Sequence, residues 1–271
     1  MTVRVSLMAW DLGHVPPGCT WGGVDEAGRG AWAGPVVAAC ALLDHATCER
    51  WGHVLASVRD SKRLTPPKRE GLAAELKAIL PGWGIAEVDN LAIDRDNILE
   101  ATLDAMRQAV ARTPERPRLL FVDGDRAPQS GLPERLLVEG DSTSCAVACA
   151  SILAKTHRDR LMVEQEGIHP GYGFGRHKGY GTAEHRRALT ELGTCGIHRL
   201  SYAPVAALQQ PCTETFDAVK EALQRCSTVE GLQQWIARVL RPSYGKLDRA
   251  WVEDLREDYA RRLVHLIQGQ P

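Results

Sequence analysis

Four acidic residues stand where predicted strands end, so their side chains could meet at one edge of a sheet. They are Asp25, Glu26, Asp123 and Asp141. Adjacent side chains inside a strand point to opposite faces, so Asp25 and Glu26 can converge only if the strand ends between them. Taken singly, such residues are also typical of turns and helix caps, and a cap explains Asp141 better. Taken together, and beside the loop described below, they predict a site.

Carboxylates gathered in one place indicate a particular chemistry. Their mutual repulsion raises their pKa values, and hard divalent cations such as Mg²⁺ or Mn²⁺ remove that cost by binding the oxygens. Two such ions ~4 Å apart can stabilise both the attacking and the leaving oxygen in phosphodiester hydrolysis. The four acids therefore favour a metal site over a set of unrelated turn residues.

A glycine-rich loop, Gly28-Arg29-Gly30, comes almost directly after the first acidic pair. The two glycines let the backbone approach a ligand closely, and the guanidinium between them can hold a phosphate. The surrounding letters GRGAWAG match neither the P-loop nor the dinucleotide-binding spacing. The significance of the loop is its position beside Asp25 and Glu26.

A sheet must bring these residues together, and the hydrophobic pattern predicts one. Strands are predicted at 22–25, 35–43, 84–88, 119–122 and 136–138. Helices are predicted from a start at 65–67, over 96–111, and over 145–162 behind a cap at Ser142, Thr143 or Ser144. This order of strands and helices indicates an α/β layer with a mixed sheet, in which sites gather at strand ends.

The composition is that of an ordinary globular protein. The 271 residues are 44% hydrophobic and 25% charged with a formal charge of -1, which excludes a disordered chain. No apolar run reaches the ~20 residues that span a bilayer, and the N-terminus is a poor secretory signal, so we expect a cytoplasmic protein. The near-neutral charge means that any nucleic-acid surface must be local. The eight cysteines lack zinc spacing and are interpreted as reduced structural thiols.

Five blocks of the sequence resemble ribonuclease HII in order and rough spacing, over about residues 22–205. The blocks are VDEAGRGAWAGPVVAACALL, DSKRLTPPKRE, FVDG, EGDSTSCAVACASILAKTHRDRLM, and HPGYGFGRHKGYGTAEHRRAL continuing to HRLSYAPV. The sister family, ribonuclease HIII, fits less well, because it usually has Lys in the glycine loop and a sizeable N-terminal domain. The resemblance departs at Ala31-Trp32, where the family usually has Pro-Leu.

The resemblance implies a fold, an activity and residue roles. The fold is an RNase H-like mixed five-stranded sheet flanked by helices, here with a C-terminal helical extension. The activity is metal-dependent endonucleolytic hydrolysis, with Mn²⁺ or Mg²⁺, on the 5′ side of a ribonucleotide in RNA–DNA hybrids or in duplex DNA. The metal ligands fall on Asp25, Glu26, Asp123 and Asp141. The loop that reads the ribose 2′-OH falls on 28–30, and the tyrosine that packs on the neighbouring sugar falls on Tyr180.

We expect three regions: an N-terminal extension at 1–20, a catalytic domain at 21–210, and a helical tail of unknown role at 211–271. The protein is expected to be a monomer with no membrane partner. Lys62 and Lys155 are candidate phosphate contacts, with ion pairs to Asp60 and Asp159 as the equal alternative. A catalytic role is the weaker interpretation for four histidines, since a two-metal site needs no protein base. They are His169, His177, His185 and His198.

Two rival functions stay open from the sequence. A non-catalytic protein that binds hybrids could keep the fold and the groove, although a pure binder gains nothing from four acids facing phosphates. A nuclease of the same fold could cut DNA structures without needing a ribose. The seven tryptophans are expected to pack between elements, with Trp32 as the candidate exception.

Overall fold

A computed structural model describes residues 6–58, 64–209 and 211–268. Its centre is a five-stranded sheet in the order β3-β2-β1-β4-β5, in which β2 runs antiparallel to β1 and β3 while β4 runs parallel to β1 and β5. The predicted mixed sheet is therefore confirmed. The strands are β1 Trp21–Ala27, β2 Val36–Leu43, β3 Trp83–Val88, β4 Leu119–Asp123 and β5 Glu134–Leu137.

Helices make up most of the remaining described chain. The α-helices are α1 Leu7–Leu12, α2 His45–Ser57, α3 Pro66–Ile79, α4 Asn90–Asp96, α5 Ile98–Ala111, α6 Cys145–Ile168, α7 Phe174–His177, α8 Ala183–Leu192, α9 Ala203–Ala206, α10 Thr213–Gln224, α11 Val229–Trp235, α12 Arg241–Ser243 and α13 Arg249–Gln268. Short 3₁₀ helices span Gly140–Ser142 and Tyr244–Lys246, and a π-helical turn spans Ile236–Leu240. Within the described ranges, none of these helices combines the length and apolar character that a membrane crossing requires.

The chain divides into two compact units. Unit 1 contains Met1–Arg29 and Pro35–Leu161, and unit 2 contains Gly30–Gly34 and Met162–Pro271. Unit 1 holds the whole sheet. Unit 2 holds both the end of the region that resembles ribonuclease HII and the tail predicted from residue 211.

The core of unit 1 forms where β1 and β2 meet the first turns of α6. All eight residues of β2 are buried, as expected for a strand that is apolar on both faces. A side chain at Gly23 would overlap the backbone of Ala146, so the start of α6 lies directly on β1. Small residues in this helix permit that approach, which sets the distance between the α6 side chains and the acids of β1.

Unit 2 is organised around the short segment 30–34. Ala31 pairs with Tyr180 and Ala33 pairs with His198, so two later parts of the chain flank this segment. The tail joins the same unit through backbone contact, because a side chain at Gly245 would overlap the Thr194 carbonyl. The Thr194 hydroxyl also donates a hydrogen bond to the Gly245 carbonyl.

The sequence predictions of three element boundaries were wrong. β1 continues to Ala27, because it stays paired with β2 beyond residue 25. The helix predicted over 96–111 begins at Ile98, because Asn97, whose φ of 74° interrupts the helical backbone, separates it from helix α4, which the sequence pattern did not predict. The last strand begins at Glu134 and ends at Leu137, before Val138, which is 77% exposed.

Candidate active site

Three of the predicted acids form a cluster. Asp25, Glu26 and Asp123 each offer a carboxylate oxygen, and these atoms all lie within 4.8 Å of one another. The register explains the meeting of the two strands. Val24 on β1 pairs with Val122 on the parallel strand β4, so the next residue on each strand is an aspartate. Parallel neighbours in register thus bring Asp25 and Asp123 to the same edge of the sheet.

Glu26 joins this cluster although it lies inside β1. Pairing with β4 ends at Val24, whereas pairing with β2 continues to Ala27. The Glu26 amide donates a hydrogen bond to Asp25 Oδ1 at 2.7 Å, so the Asp25 carboxylate bends along the strand toward its neighbour. The expected convergence is confirmed, but it arises from this bend beyond the end of β4 and not from the end of β1.

Burial and mutual repulsion make the cluster costly to ionise. Burial raises the pKa of Asp25 well above its usual value, and the charges of Glu26 and Asp123 raise it further, against a hydrogen bond from Ser151. Burial also raises the pKa of Glu26, while Arg29 lowers it through an ion pair of 3.3 Å. Three hard oxygen donors in a partly desolvated place fit a divalent cation, which would remove the repulsion.

Asp141 follows Asp123 by 18 residues and, within the described chain, is not a member of the 4.8 Å group. It is buried in the short 3₁₀ helix Gly140–Ser142. The preceding amide, that of Gly140, donates to Asp123 Oδ1 at 2.6 Å, which ties the Asp141 backbone to the cluster. The α6 amides of Ala146 and Val147 are bound by Asp11 and Ser144, so neither depends on Asp141 as a cap.

The two glycines of the loop have different surroundings. Gly28 has a φ of +96°, and a side chain there would overlap the Arg158 guanidinium. Arg158 is fully buried, and its Nε donates to the Pro35 carbonyl at 2.9 Å. This arginine therefore packs against the buried side of the loop. Among the described residues, no atom other than those of its chain neighbours lies within 4 Å of the position that a β-carbon on Gly30 would take. The absence of a side chain at Gly28 therefore allows Arg158 to pack against the loop, whereas a side chain at Gly30 would extend into open space.

The remaining predicted residues are placed as follows. Tyr180 is half-buried in unit 2, where its backbone pairs with Ala31. Lys155 Nζ lies 2.7 Å from Asp159 Oδ1, which is the ion pair that the sequence offered as the alternative to a phosphate contact. Lys62, with Asp60, lies outside the described residues.

Sequence reasoning did not identify the residues that support the cluster. Ser151, Arg158 and Asp11 act on it or on its helix from other elements. Arg158 is a basic residue close to Lys155 in the sequence, yet its side chain is fully buried. Its burial follows from the missing side chain at Gly28, which is 130 residues away in the chain. A spacing pattern carries no signal of that kind.

Comparisons with known proteins agree on one family. The family model described as ribonuclease HII matches residues 22–205. A ribonuclease HII of Halorhodospira halophila is 50% identical over 193 residues, which is 69% of this chain and 95% of the relative. A ribonuclease HII of Hyphomonas neptunium is 44% identical over 205 residues, which is 70% of this chain and 96% of the relative.

Solved structures agree with the fold. The ribonuclease H2 of Pyrococcus horikoshii is similar with a TM-score of 0.61 and 27% identity, over 70% of this chain and 96% of that one. The Mn²⁺ complex of Bst-RNase HIII has a TM-score of 0.57 and 21% identity, over 76% of this chain and 73% of that one, which shows the fold alone. The family-model match over residues 22–205 contains the three clustered acids and the glycine loop.

Proposed function

We propose, from the premise that this chain belongs to the ribonuclease HII family of RNase H-type endonucleases, that it cuts on the 5′ side of a ribonucleotide. The substrates are RNA–DNA hybrids and duplex DNA that contains ribonucleotides, and the ends left are a 5′-phosphate and a 3′-hydroxyl. Such an activity serves to remove misplaced ribonucleotides and primer RNA. The observation that carries the proposal is the cluster of Asp25, Glu26 and Asp123 beside the glycine loop.

The cluster is proposed to hold two divalent cations, either Mg²⁺ or Mn²⁺. Asp25, Glu26 and Asp123 supply the hard oxygens, and Asp141 is proposed as the fourth ligand on the strength of the Gly140 amide that joins it to Asp123. Bound ions of this type acidify water and stabilise the charge on a leaving oxygen. The repulsion among the acids supports this assignment, because cations offset the cost of keeping them ionised together.

The ribose is proposed to be recognised by the loop Gly28-Arg29-Gly30. The 2′-OH is the group that distinguishes the two sugars, and it both donates and accepts hydrogen bonds. The open space beside Gly30 supports a close approach of the sugar to main-chain atoms. The Arg29 side chain is 48% exposed, and its planar guanidinium suits a phosphate contact. Tyr180 is proposed to pack on the neighbouring sugar, and Lys62 and Lys155 stay candidate phosphate contacts.

The test compares two duplexes that differ in one oxygen atom. One strand contains a single ribonucleotide, and its all-DNA twin serves as the control. We expect cleavage of the first duplex alone, at the 5′ side of the ribonucleotide, abolished by EDTA and restored by Mg²⁺ or Mn²⁺. Equal cleavage of both duplexes would favour the rival DNA nuclease, and binding without cleavage would favour the hybrid-binding protein.

The remaining proposals concern the whole chain. We propose that it acts as a cytoplasmic monomer on nucleic acid, with a catalytic domain at 21–210 between an N-terminal extension and the tail. The catalytic proposal is supported by the family match over 22–205. Size-exclusion chromatography with light scattering tests the monomer, because a mass near twice 29.7 kDa would contradict it.

A further inference from the structure

Two fully buried histidines of unit 2 form a continuous hydrogen-bonded chain that ends at the Tyr180 backbone. His185 and His198 face each other with their Nε2 atoms 3.0 Å apart. His185 Nδ1 lies 3.0 Å from the Tyr180 carbonyl oxygen. His198 Nδ1 lies 2.8 Å from the Cys195 amide nitrogen. The chain therefore has a backbone donor at one end and a backbone acceptor at the other.

The two ends determine where each proton is. The Cys195 amide can only donate, and its nitrogen lies closer to His198 Nδ1 than the Cys195 carbonyl oxygen does, at 2.8 Å against 3.3 Å. His198 Nδ1 therefore accepts, and a neutral His198 carries its proton on Nε2. The Tyr180 carbonyl can only accept, so His185 Nδ1 carries a proton and its Nε2 is free to accept from His198. Every bond of the chain is thus satisfied by two neutral imidazoles. A proton added to His185 Nε2 would place two donors against each other.

The surroundings keep both imidazoles neutral. Burial lowers the pKa of His185 to about 4 and that of His198 to about 3, and their charges oppose each other. The titratable groups that face them are the stacked ring of His177, with Tyr172, Cys195 and His169 nearby. The aromatic ring of Phe174 packs against both histidines. None of these is an acid that would favour a charged imidazole.

The chain also joins the two parts of unit 2 that flank the segment 30–34. Tyr180 pairs with Ala31 on one side, and His198 pairs with Ala33 on the other. The Trp32 amide donates to the Gly179 carbonyl at 2.8 Å, and the Trp32 carbonyl accepts from Arg199 at 2.9 Å. The buried hydrogen bond between His185 and His198 connects the same two parts of the chain directly.

We infer that His185 and His198 are positioning residues, which act through the Tyr180 carbonyl to hold the ring of Tyr180 where the neighbouring sugar must pack. This inference rests on the proposed function of Tyr180. The backbone at Tyr180 follows two residues of positive φ, Lys178 and Gly179, so the turn is not held by ordinary backbone preference alone. The hydrogen bond that the buried His185 ring donates to the Tyr180 carbonyl restricts that turn.

A matched pair of variants at one position separates the hydrogen bond from the volume. His185→Asn places an amide nitrogen near the position of Nδ1 and can still donate to Tyr180. His185→Leu has no donor. At a single embedded ribonucleotide we expect His185→Leu to lose about tenfold in kcat, the equivalent of one hydrogen bond, and His185→Asn to lose less than about threefold. The exposed His265→Leu is the control and should keep the wild-type rate. Equal losses in the two His185 variants, with both folded by circular dichroism, would overturn the inference.

The double variant with Tyr180→Ala tests whether the histidines act through the tyrosine. Once the ring is absent, His185→Leu should cost less than about twofold further, because coupled positions are not additive. Losses that multiply would overturn the inference while leaving the proposed function in place. Full cleavage by Tyr180→Ala alone would overturn the proposed role of Tyr180 and the inference together.

Nitrogen-15 NMR of the histidine rings tests the chain without reference to activity. We expect His185 as the Nδ1–H tautomer and His198 as the Nε2–H tautomer at neutral pH, with assignment by the His185→Asn spectrum. His185 is the informative residue, because its proton is on Nδ1 only if it donates to Tyr180. A His185 ring protonated on Nε2 would overturn the inference.

Discussion

Asp123 joins two functions in one side chain, because it belongs to the acidic cluster and also accepts the Gly140 amide. Asp123→Asn removes the charge but keeps an oxygen that can accept from Gly140, so we expect a folded protein. Loss of one metal ligand charge should cost on the order of a thousandfold in cleavage rate. The melting temperature without metal should stay the same or rise, because the charge at position 123 no longer repels Asp25 and Glu26.

The exposed Asp125→Asn is the matched control for Asp123→Asn, two residues further along the chain. It should cleave a ribonucleotide-containing duplex at the wild-type rate. If Asp123→Asn retained more than about a tenth of the wild-type rate, its proposed role as a metal ligand would be wrong, since such a charge is worth several kcal/mol. Single-turnover kinetics at saturating Mg²⁺ provide the measurement.

The glycine loop allows substrate contact and protein packing to be tested separately. Gly30→Val adds a side chain into open space, so we expect an unchanged melting temperature. We also expect a large loss of cleavage, because the valine occupies the space that the ribose should approach. Gly28→Val would overlap the buried Arg158 at a positive φ, so we expect lower melting as well as lost activity. Thermal melting beside cleavage kinetics distinguishes the two. Wild-type cleavage by a folded Gly30→Val would contradict the proposed recognition of the ribose by this loop.

At the scale of elements, hydrophobic pattern predicted which segments meet but not how far each extends. Apolar runs correctly located β2 and β4, because a strand buried on both faces cannot be polar. The end of β1 was misplaced, since its last residues are polar and only pairing with β2 keeps them extended. Helix α4 also escaped the pattern, because its seven residues, NLAIDRD, are too few and too polar to form an apolar stripe.

In the acidic cluster, the local sequence likewise predicted the acids themselves but not the residues that support them from distant parts of the chain. Its three acids could be named because each stands at or directly after the end of an apolar run in the sequence. Their supporting contacts could not, since Ser151 and Arg158 reach the site from α6. Such contacts depend on tertiary packing between distant segments, and spacing along the chain does not encode which buried side chain faces which.

The start of α6 depends on a carboxylate from α1, which makes its stability sensitive to pH. Asp11 is fully buried, and its Oδ2 accepts from the Ala146 amide at 2.9 Å and from Trp21 Nε1 at 3.2 Å. Burial raises the pKa of Asp11 to about 6. The folded state therefore holds this proton more tightly than the unfolded state, and the stability that it contributes is present below about pH 4 and is lost as the pH rises through about 6.

Asp11→Asn should remove this pH dependence, because the amide resembles the protonated carboxyl and can still accept both hydrogen bonds through one oxygen. The free energy of unfolding of the variant minus that of the wild type should grow by about 2 kcal/mol between pH 4 and pH 7. Urea unfolding at several pH values measures the difference. The exposed Asp125→Asn is the control. A difference that stays constant, or that shrinks as the pH rises, would contradict the buried-proton account.

At the scale of the whole molecule, the tail and the acidic cluster belong to different compact units. The cluster lies in unit 1, and residues 211–268 lie in unit 2 with the helices that precede them. The family match ends at residue 205, before the tail begins. The tail has its own apolar interior, in which the buried Trp235 donates to the Val219 carbonyl at 3.0 Å. Its contact with Thr194 and Gly196 is nevertheless backbone against backbone.

Because the family match ends before the tail, we expect the tail to contribute stability and not chemistry. A chain that ends at Pro211 should still cut at an embedded ribonucleotide, with a lower melting temperature because the surface around Thr194 loses its cover. Gly245→Val offers the same test in the full chain, since its side chain would overlap the Thr194 carbonyl and displace the tail. Both variants should have a lower melting temperature than the wild type. Below that temperature, kcat should stay within about threefold of the wild-type value, a change of less than 1 kcal/mol in the barrier. Complete loss of cleavage in two variants that circular dichroism shows to be folded would mean that the tail takes part in the reaction.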